Sequence, residues 1–343
     1  MWNKGRVICV KEKLHKLTAV IIKYPILVFL TAAATIAIFF TPNFFTVFNL
    51  KNLLLQSTDL LILSCGLTLV QLNAGIDFSI TSVLSLGSVL GAYIMARTPL
   101  AASPLMGICA AVLMMAGTGA VFGIINGAAV TRLKMPSFIV TLVMQMIGSG
   151  AAVLFVNSIA AETTLSATIA GLPPAFSILG GLGNWFFVPV LIAAAVFLFS
   201  DWLLTKTRFG RNVYAVGTNA RTAEVSGIPV KKTVFLLFVL CGLYAGIASI
   251  LATARNQSGI PTLGDKVFLN IIGAVIIGGT SVLGGSGGVK QTLLGVIFMS
   301  LMTDVMNLMN VTWYIILLVQ GILIFVVAMV DYFMKRQNAY QEN

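Results

Sequence analysis

The sequence predicts an all-α integral membrane protein of about ten transmembrane helices, some of them broken or re-entrant. Three observations predict it. Hydrophobic residues make up 58% of the 343-residue chain and charged residues 9%, against roughly 25% charged in soluble domains, so a soluble core of this size cannot hide the apolar surface. The apolar residues fall in runs of about 20, the length of a helical crossing, and are apolar on all faces rather than alternating as in a β-barrel. Finally, the lysines and arginines gather at the ends of these runs.

The elements follow in order. A basic segment, 1–17, precedes the first run, 18–41, which Pro42 closes. That run is too long for a signal peptide and lacks a cleavage-like end. FFTVFNLKNLLLQS (44–57) is amphipathic and is expected near the membrane surface. Further runs occupy 58–73, 78–96, 103–131, 136–157, 185–205, 233–254, 265–279, 289–309 and 312–334, followed by a tail, 335–343. The whole chain, 1–343, reads as a single transmembrane domain.

Charge orients these runs. With the N-terminus in the cytoplasm, seventeen lysines and arginines fall inside, and only Lys51, Arg97, Arg255 and Lys266 fall outside. This bias predicts cytoplasmic N- and C-termini. The net charge of +11 is thereby explained by anchoring on an anionic leaflet, and nucleic acid is not an expected partner. Cys9, Cys65, Cys109 and Cys241 are far apart and read as small hydrophobes. The lone His15 gives no basis for a histidine-built metal site.

Small residues recur at a spacing of four: Gly87 with Gly91, Gly119 with Gly123 and Gly127, Gly242 with Gly246. They predict close helix crossings. Two polar interruptions, NAGIDFS from residue 73 and GGTSVLGGSGG (278–288), occupy comparable places and suggest an internal repeat.

Asp77 is the costliest residue of the chain, because a carboxylate at membrane depth needs partners or water. Following Gly75 and opening a helical run, it can cap the free amides of a helix N-terminus. Such a bend either fixes a re-entrant structure or lines a solute path, and the two roles are compatible. Candidate pathway residues are Asn73, Asp77, Ser79, Asn126, Thr141, Gln145, Asp304 and Asn307. Asp77 and Asp304 stand out as in-span carboxylates, and Asp304 is expected to pair with a neighbouring cation.

The largest cytoplasmic loop, 205–232, holds a two-turn helix, ARTAEVS, with Asn219 as its cap and Gly227 and Pro229 at its end. A helix this short is marginal alone and is expected to dock into something. GGSGGVKQT is not a phosphate loop, since Val289 separates Gly288 from Lys290 and Gln291 stands where Ser or Thr is needed. It reads as a tight turn, with Lys290 as a snorkelling anchor.

This loop resembles the coupling segment of the ribose-type, or monosaccharide-type, permeases of bacterial ABC importers. Gly210, Arg211, Tyr214, Ala215, Gly217, Asn219, Ala223, Ser226, Gly227 and Ile228 carry the likeness. GIDFS, GIINGAAVTRLKMPSFIVTL, GGTSVLGGSGGV with TLLG, and NLMNV are similar to other segments of that family, in order, from about 43 to 332. The departures are Asn73 and Ala74 where Thr and Gly are frequent, Thr81 for a frequent Gly, and Asp304 for a common Asn. The resemblance implies a non-catalytic subunit in the bacterial plasma (inner) membrane, working with ABC ATPase subunits, a second permease subunit and an extracytoplasmic solute-binding protein. ATP and Mg would sit on the partner ATPase, with no cofactor bound by this chain. Asn219, Ala220, Arg221, Ala223, Glu224, Ser226 and Gly227 would couple to that ATPase. The solute would be a monosaccharide, or else an autoinducer-type or nucleoside-like compound. A stand-alone ion-coupled transporter is the alternative, requiring Asp77 or Asp304 to titrate. A membrane-embedded enzyme would need a nucleophile with its base or a metal cluster, which this sequence does not supply.

Overall fold

The computed structural model describes residues 43–160 and 167–341, with 35 and 41; the predicted 18–41 run lies outside the described residues but for these two. Every regular element among the described residues is helical, apart from one isolated β-bridge between Ile169 and Gly259. The main helices are α1 (Val47–Gln71), α2 (Ser79–Arg97), α3 (Pro104–Thr131), α4 (Ser137–Ala160), α5 (Phe187–Lys206), α6 (Arg208–Thr218), α7 (Ala220–Val225), α8 (Val230–Asn256), α9 (Phe268–Ile277), α10 (Val289–Leu308) and α11 (Trp313–Gln341). Seven of these, α1 to α5, α8 and α10, are long and apolar enough to cross a membrane.

Burial sorts them into two layers. In the most apolar stretch of α1 and of α2, 72% of residues are buried, against 28% in α4 and in α5. Helices α1, α2 and α8 therefore form the inside of the bundle, while α3, α4, α5 and α11 turn Leu113, Ile147, Leu198 and Phe325 outward. An outer face this apolar suits lipid, which is no less apolar than leucine.

The glycines set the tightest crossing. A Cβ on Gly119 would overlap the carbonyl oxygen of Gly242, and a Cβ on Gly242 would overlap that of Gly119. One turn on, a Cβ on Gly123 would lie 2.5 Å from Phe238 O. The predicted small-residue rows thus face each other across α3 and α8, with backbones in contact. Gly91 similarly accepts the Met115 side chain against its α-carbon.

The structure refines several of these expectations. The stretch 44–57 is not a separate surface segment: α1 begins at Val47, capped by Thr46, whose Oγ1 accepts from Asn49 N at 3.3 Å. The run 265–279 contains a helix of only 10 residues, α9, about 15 Å long and too short to span. Helix continues into the predicted tail, to Gln341. Cys65 and Cys241 are buried as expected, but Cys109 is exposed. The expected tight turn is present, with Gly284, Gly285 and Gly287 at positive φ. Lys290, rather than only snorkelling, pairs with Asp201 at 3.2 Å.

Candidate functional site

Between α1 and α2 the chain stays non-helical from Leu72 to Phe78. Helix α1 ends in a tight knot, with Ala74 N–H donating to Gln71 O at 2.8 Å and Gly75 N–H to Val70 O at 3.2 Å. Ala74 has φ +55°, the left-handed region where alanine pays a cost that glycine avoids. This gives the departure from the family's glycine a measurable consequence. Ala74→Gly is accommodated without strain.

The open backbone beyond is satisfied by α4. Ser137 Oγ accepts from Ile76 N at 3.3 Å, and Thr141 Oγ1 donates to Ile76 O at 3.1 Å. Asp77 is fully buried. Its Oδ1 accepts from Ser79 N at 2.9 Å and from Ser79 Oγ at 2.7 Å, and Ser79 Oγ accepts from Asn126 Nδ2 at 2.8 Å. The Cys241 thiol of α8 lies beside the same carboxylate. Asp77, Ser79, Asn126 and Thr141, predicted from separate segments, are thus brought together around one break by α2, α3 and α4. Asp77 does cap the first turn of α2, from two residues before it.

This network predicts a contrast between two variants. Asp77→Asn keeps an acceptor at Oδ1, so the chain should melt close to the unaltered protein. Asp77→Ala leaves the buried Ser79 donors unpaired, at about 1–3 kcal/mol each, and should reduce folded protein in the membrane. Thermal melting of the detergent-purified chain checks this. Equal melting of the two variants would contradict it.

The remaining predicted pathway residues lie elsewhere. Asn73 reaches from the break to α6, donating to Val213 O at 3.5 Å. Gln145 is half-buried one turn beyond Thr141 and donates to Ser149 Oγ at 3.4 Å. Among the described residues Asp304 pairs with no cation: its Oδ2 accepts from Asn49 Nδ2 at 2.8 Å, tying α10 to the start of α1. A buried amide satisfies the carboxylate without a second ion to desolvate. Asn307 is exposed. Asp59 of α1 and Asp201 of α5 are further carboxylates within helices, paired with Arg255 and Lys290 respectively.

The sequence also missed how the two interruptions meet. Gly285 N–H donates to Leu72 O at 2.9 Å, and Gln71 Nε2 to Thr280 O at 3.2 Å. Below them Thr68 Oγ1 and Thr292 Oγ1 are 2.7 Å apart. Helix α6 seals the junction. Tyr214 Oη donates to Gly287 O at 2.8 Å, and a Cβ on Gly217 would overlap Leu72 O while lying 2.8 Å from Gly285 N. Burial, and then the Asp201 carboxylate, raises the Tyr214 pKa above its ordinary value, which keeps the phenolic proton in place for this bond. The C-terminal tip of α6 is therefore wedged between both breaks.

Helix α7 follows directly. Asn219 Oδ1 accepts from Thr222 N at 3.0 Å, as the sequence predicts for a cap. The end is a Schellman motif: Ile228 N–H donates to Ala223 O, Gly227 N–H to Glu224 O, and Gly227 has φ +81°. Ala223 is buried, whereas Ala220, Arg221, Glu224, Ser226 and Gly227 are exposed. Val225, which sequence reasoning passed over, is 86% exposed at the tip.

Comparison with known proteins identifies relatives along most of the chain. The family model described as branched-chain amino acid transport system / permease component matches residues 49–328. The chain is 35% identical over 299 residues to the ribose import permease protein RbsC of Escherichia coli strain K12, covering 85% of this chain and 88% of that one. Against RbsC of Bacillus subtilis strain 168 it is 33% identical, covering 84% and 86%. Against the L-arabinose ABC transporter permease protein AraH of Azospirillum brasilense it is 29% identical, covering 91% and 88%. No solved structure matches. With a polar broken helix, a wedged loop helix and this match along most of its length, the chain belongs to the branched-chain amino acid transport system / permease component family.

Proposed function

We propose that this chain is the membrane permease subunit of a binding-protein-dependent ABC importer in the bacterial plasma membrane, moving a small polar solute, in the first place a monosaccharide, into the cell. One observation carries the mechanism: α7, with its exposed Val225, is continuous through α6 with the junction of both broken segments. The names of the relatives, ribose and arabinose permeases, support a pentose. ATP and Mg belong to the partner ATPase, and the chain itself performs no chemistry. A second permease subunit and an external solute-binding protein complete the assembly.

In this reading the run 18–41 and the seven long apolar helices cross the membrane, with the N-terminus in the cytoplasm and two related halves, each carrying one break. The ATPase grips the tip of α7. When it moves, α6 shifts as a rigid lever, because Tyr214 and Gly217 tie it to Gly287 and Leu72. The two breaks then part or close together, switching access to the buried Asp77 network. A bistable packed junction converts a small displacement into such a switch.

Purification of the native complex in mild detergent tests this. The ATPase is expected to copurify in stoichiometric amount, and Val225→Asp, which sets a charge at the apolar tip, should reduce its recovery at least tenfold, as loss of roughly 1.4 kcal/mol or more does. A preparation without any ATPase, supporting solute uptake driven by an ion gradient, would replace this reading with an ion-coupled transporter.

A further inference from the structure

At the end of the bundle away from the breaks, Asp59 of α1 forms an ion pair with Arg255 at the end of α8. Thirteen residues, about 20 Å of helix, separate Asp59 from Leu72. Arg255 Nη1 also donates to Leu55 O at 2.8 Å. The pair does not lie in packed hydrocarbon. It borders a cavity of about 190 Å³, whose wall also includes Gln56, Asn270, Ser300 and Thr303. The rest of the wall is apolar and includes Leu60, Leu63, Leu84, Leu263, Val267 and Met299. Gln56 is exposed, so the cavity has a reachable side.

We propose that this chamber is a solute site, taking a neutral polyhydroxylated molecule whose hydroxyls bridge the Asp59 carboxylate and the Arg255 guanidinium. The inference rests on the importer reading above and adds a place where the solute is held.

Three arguments support it. A largely buried ion pair is no economical way to join two helices, since an apolar pair of the same volume is commonly as stable or more so. A pair that only fastens α1 to α8 also needs no polar side chains from α9 and α10. Here Asn270 is oriented, its Oδ1 accepting from Gln320 Nε2 at 2.7 Å and lying 3.5 Å from Thr303 Oγ1. That leaves the Asn270 amide donors without a protein partner among the described residues. Finally, the groups match the ligand. A carboxylate accepts from two neighbouring hydroxyls, a guanidinium donates to two, and an amide does one of each. The volume is well below the roughly 300–1,000 Å³ of sites for drug-sized ligands and is on the scale of one sugar ring.

The chamber also lies on the same helices as the Asp77 network. Leu84 is on α2, five residues beyond Ser79, and Leu63 is on α1 between Asp59 and the end of that helix.

The test is transport by the complete complex, permease with its ATPase and binding protein, in proteoliposomes, using labelled D-ribose and L-arabinose. Asn270→Ala and Thr303→Val leave the ion pair untouched. They should raise the KM of uptake by about tenfold, the effect of one lost polar contact, and change the ratio of the two sugars, with ATP hydrolysis unchanged. Exchanging the charges, Asp59→Arg with Arg255→Asp, should restore the melting temperature lost in Asp59→Ala without restoring uptake. Unchanged KM and sugar ratio in both wall variants would overturn the chamber, as would full uptake by the charge exchange, which would make the pair a fastening alone. Absence of ATP-driven uptake of either sugar by the unaltered complex would overturn the importer reading for these sugars, and this inference with it.

Discussion

Gly217→Val is expected to cut ATP-driven uptake about 5- to 150-fold while leaving the chain inserted and its ATPase bound. The Cβ has no room, since it would overlap Leu72 O and press on Gly285 N. Overpacking of this kind costs about 1–3 kcal/mol. Because the strain falls on the junction between α6 and the two breaks, it acts on the switching equilibrium, where 1–3 kcal/mol means roughly a 5- to 150-fold shift. Reconstituted complexes separate the possibilities. Uptake should fall by a factor in that range, while ATP hydrolysis persists, now uncoupled. Gly227→Ala is the instructive companion. Its Cβ would meet nothing within 4 Å, but φ +81° is unfavourable, so it should loosen the end of α7 and weaken ATPase recovery without blocking the junction. Normal uptake by Gly217→Val would show that the wedge carries no coupling.

Gly242→Leu is expected to have the largest effect on folding. Glycines 119 and 242 place their α-carbons against each other's carbonyls, so any side chain at either position forces α3 and α8 apart. In lipid there is little hydrophobic force to close the gap again, and packing is what holds helices together. Separation would also strip Gly123 from Phe238 and Gly246 from Met115. Leucine at position 242 should leave essentially no folded protein, and alanine should lower the melting temperature by several degrees. Gly117→Ala and Gly150→Ala provide the control. Their Cβ atoms would meet nothing within 4 Å, and alanine in a helix gains roughly 0.5–1 kcal/mol over glycine. Both should melt at or above the unaltered protein. Melting of Gly242→Leu like these controls would show that the crossing is not tight in the membrane.

Much of the candidate site was legible because its cost is visible in one dimension. A carboxylate, an amide and hydroxyls inside an apolar run must be satisfied somewhere, so Asp77, Ser79, Asn126 and Thr141 identify themselves before any fold is known. Asn219 and Gly227 are legible for a related reason, as cap and terminator of a two-turn helix. Val225 was not. A valine in a helical segment reads as core, and only the direction in which α7 leaves α6 turns it outward while turning Ala223 in. Asp304 shows the opposite limit. Its need for a partner could be read, but not that the partner would be the amide of Asn49, 255 residues away.

By itself the sequence determined the class of molecule, the apolar runs, the two polar breaks, the close-packing glycines and the capped loop helix. Each of these follows from the period, composition or local backbone chemistry of a single stretch. Tertiary structure decided what required distance in space. It joined the 44–57 stretch to α1, shortened the 265–279 run to a helix that cannot span, set α6 between the two breaks, and paired Asp59 with Arg255 beside a polar chamber. The physical reason is that one-dimensional patterns fix what each segment must bury or satisfy, whereas the partner that satisfies it is chosen by packing among helices far apart in the chain.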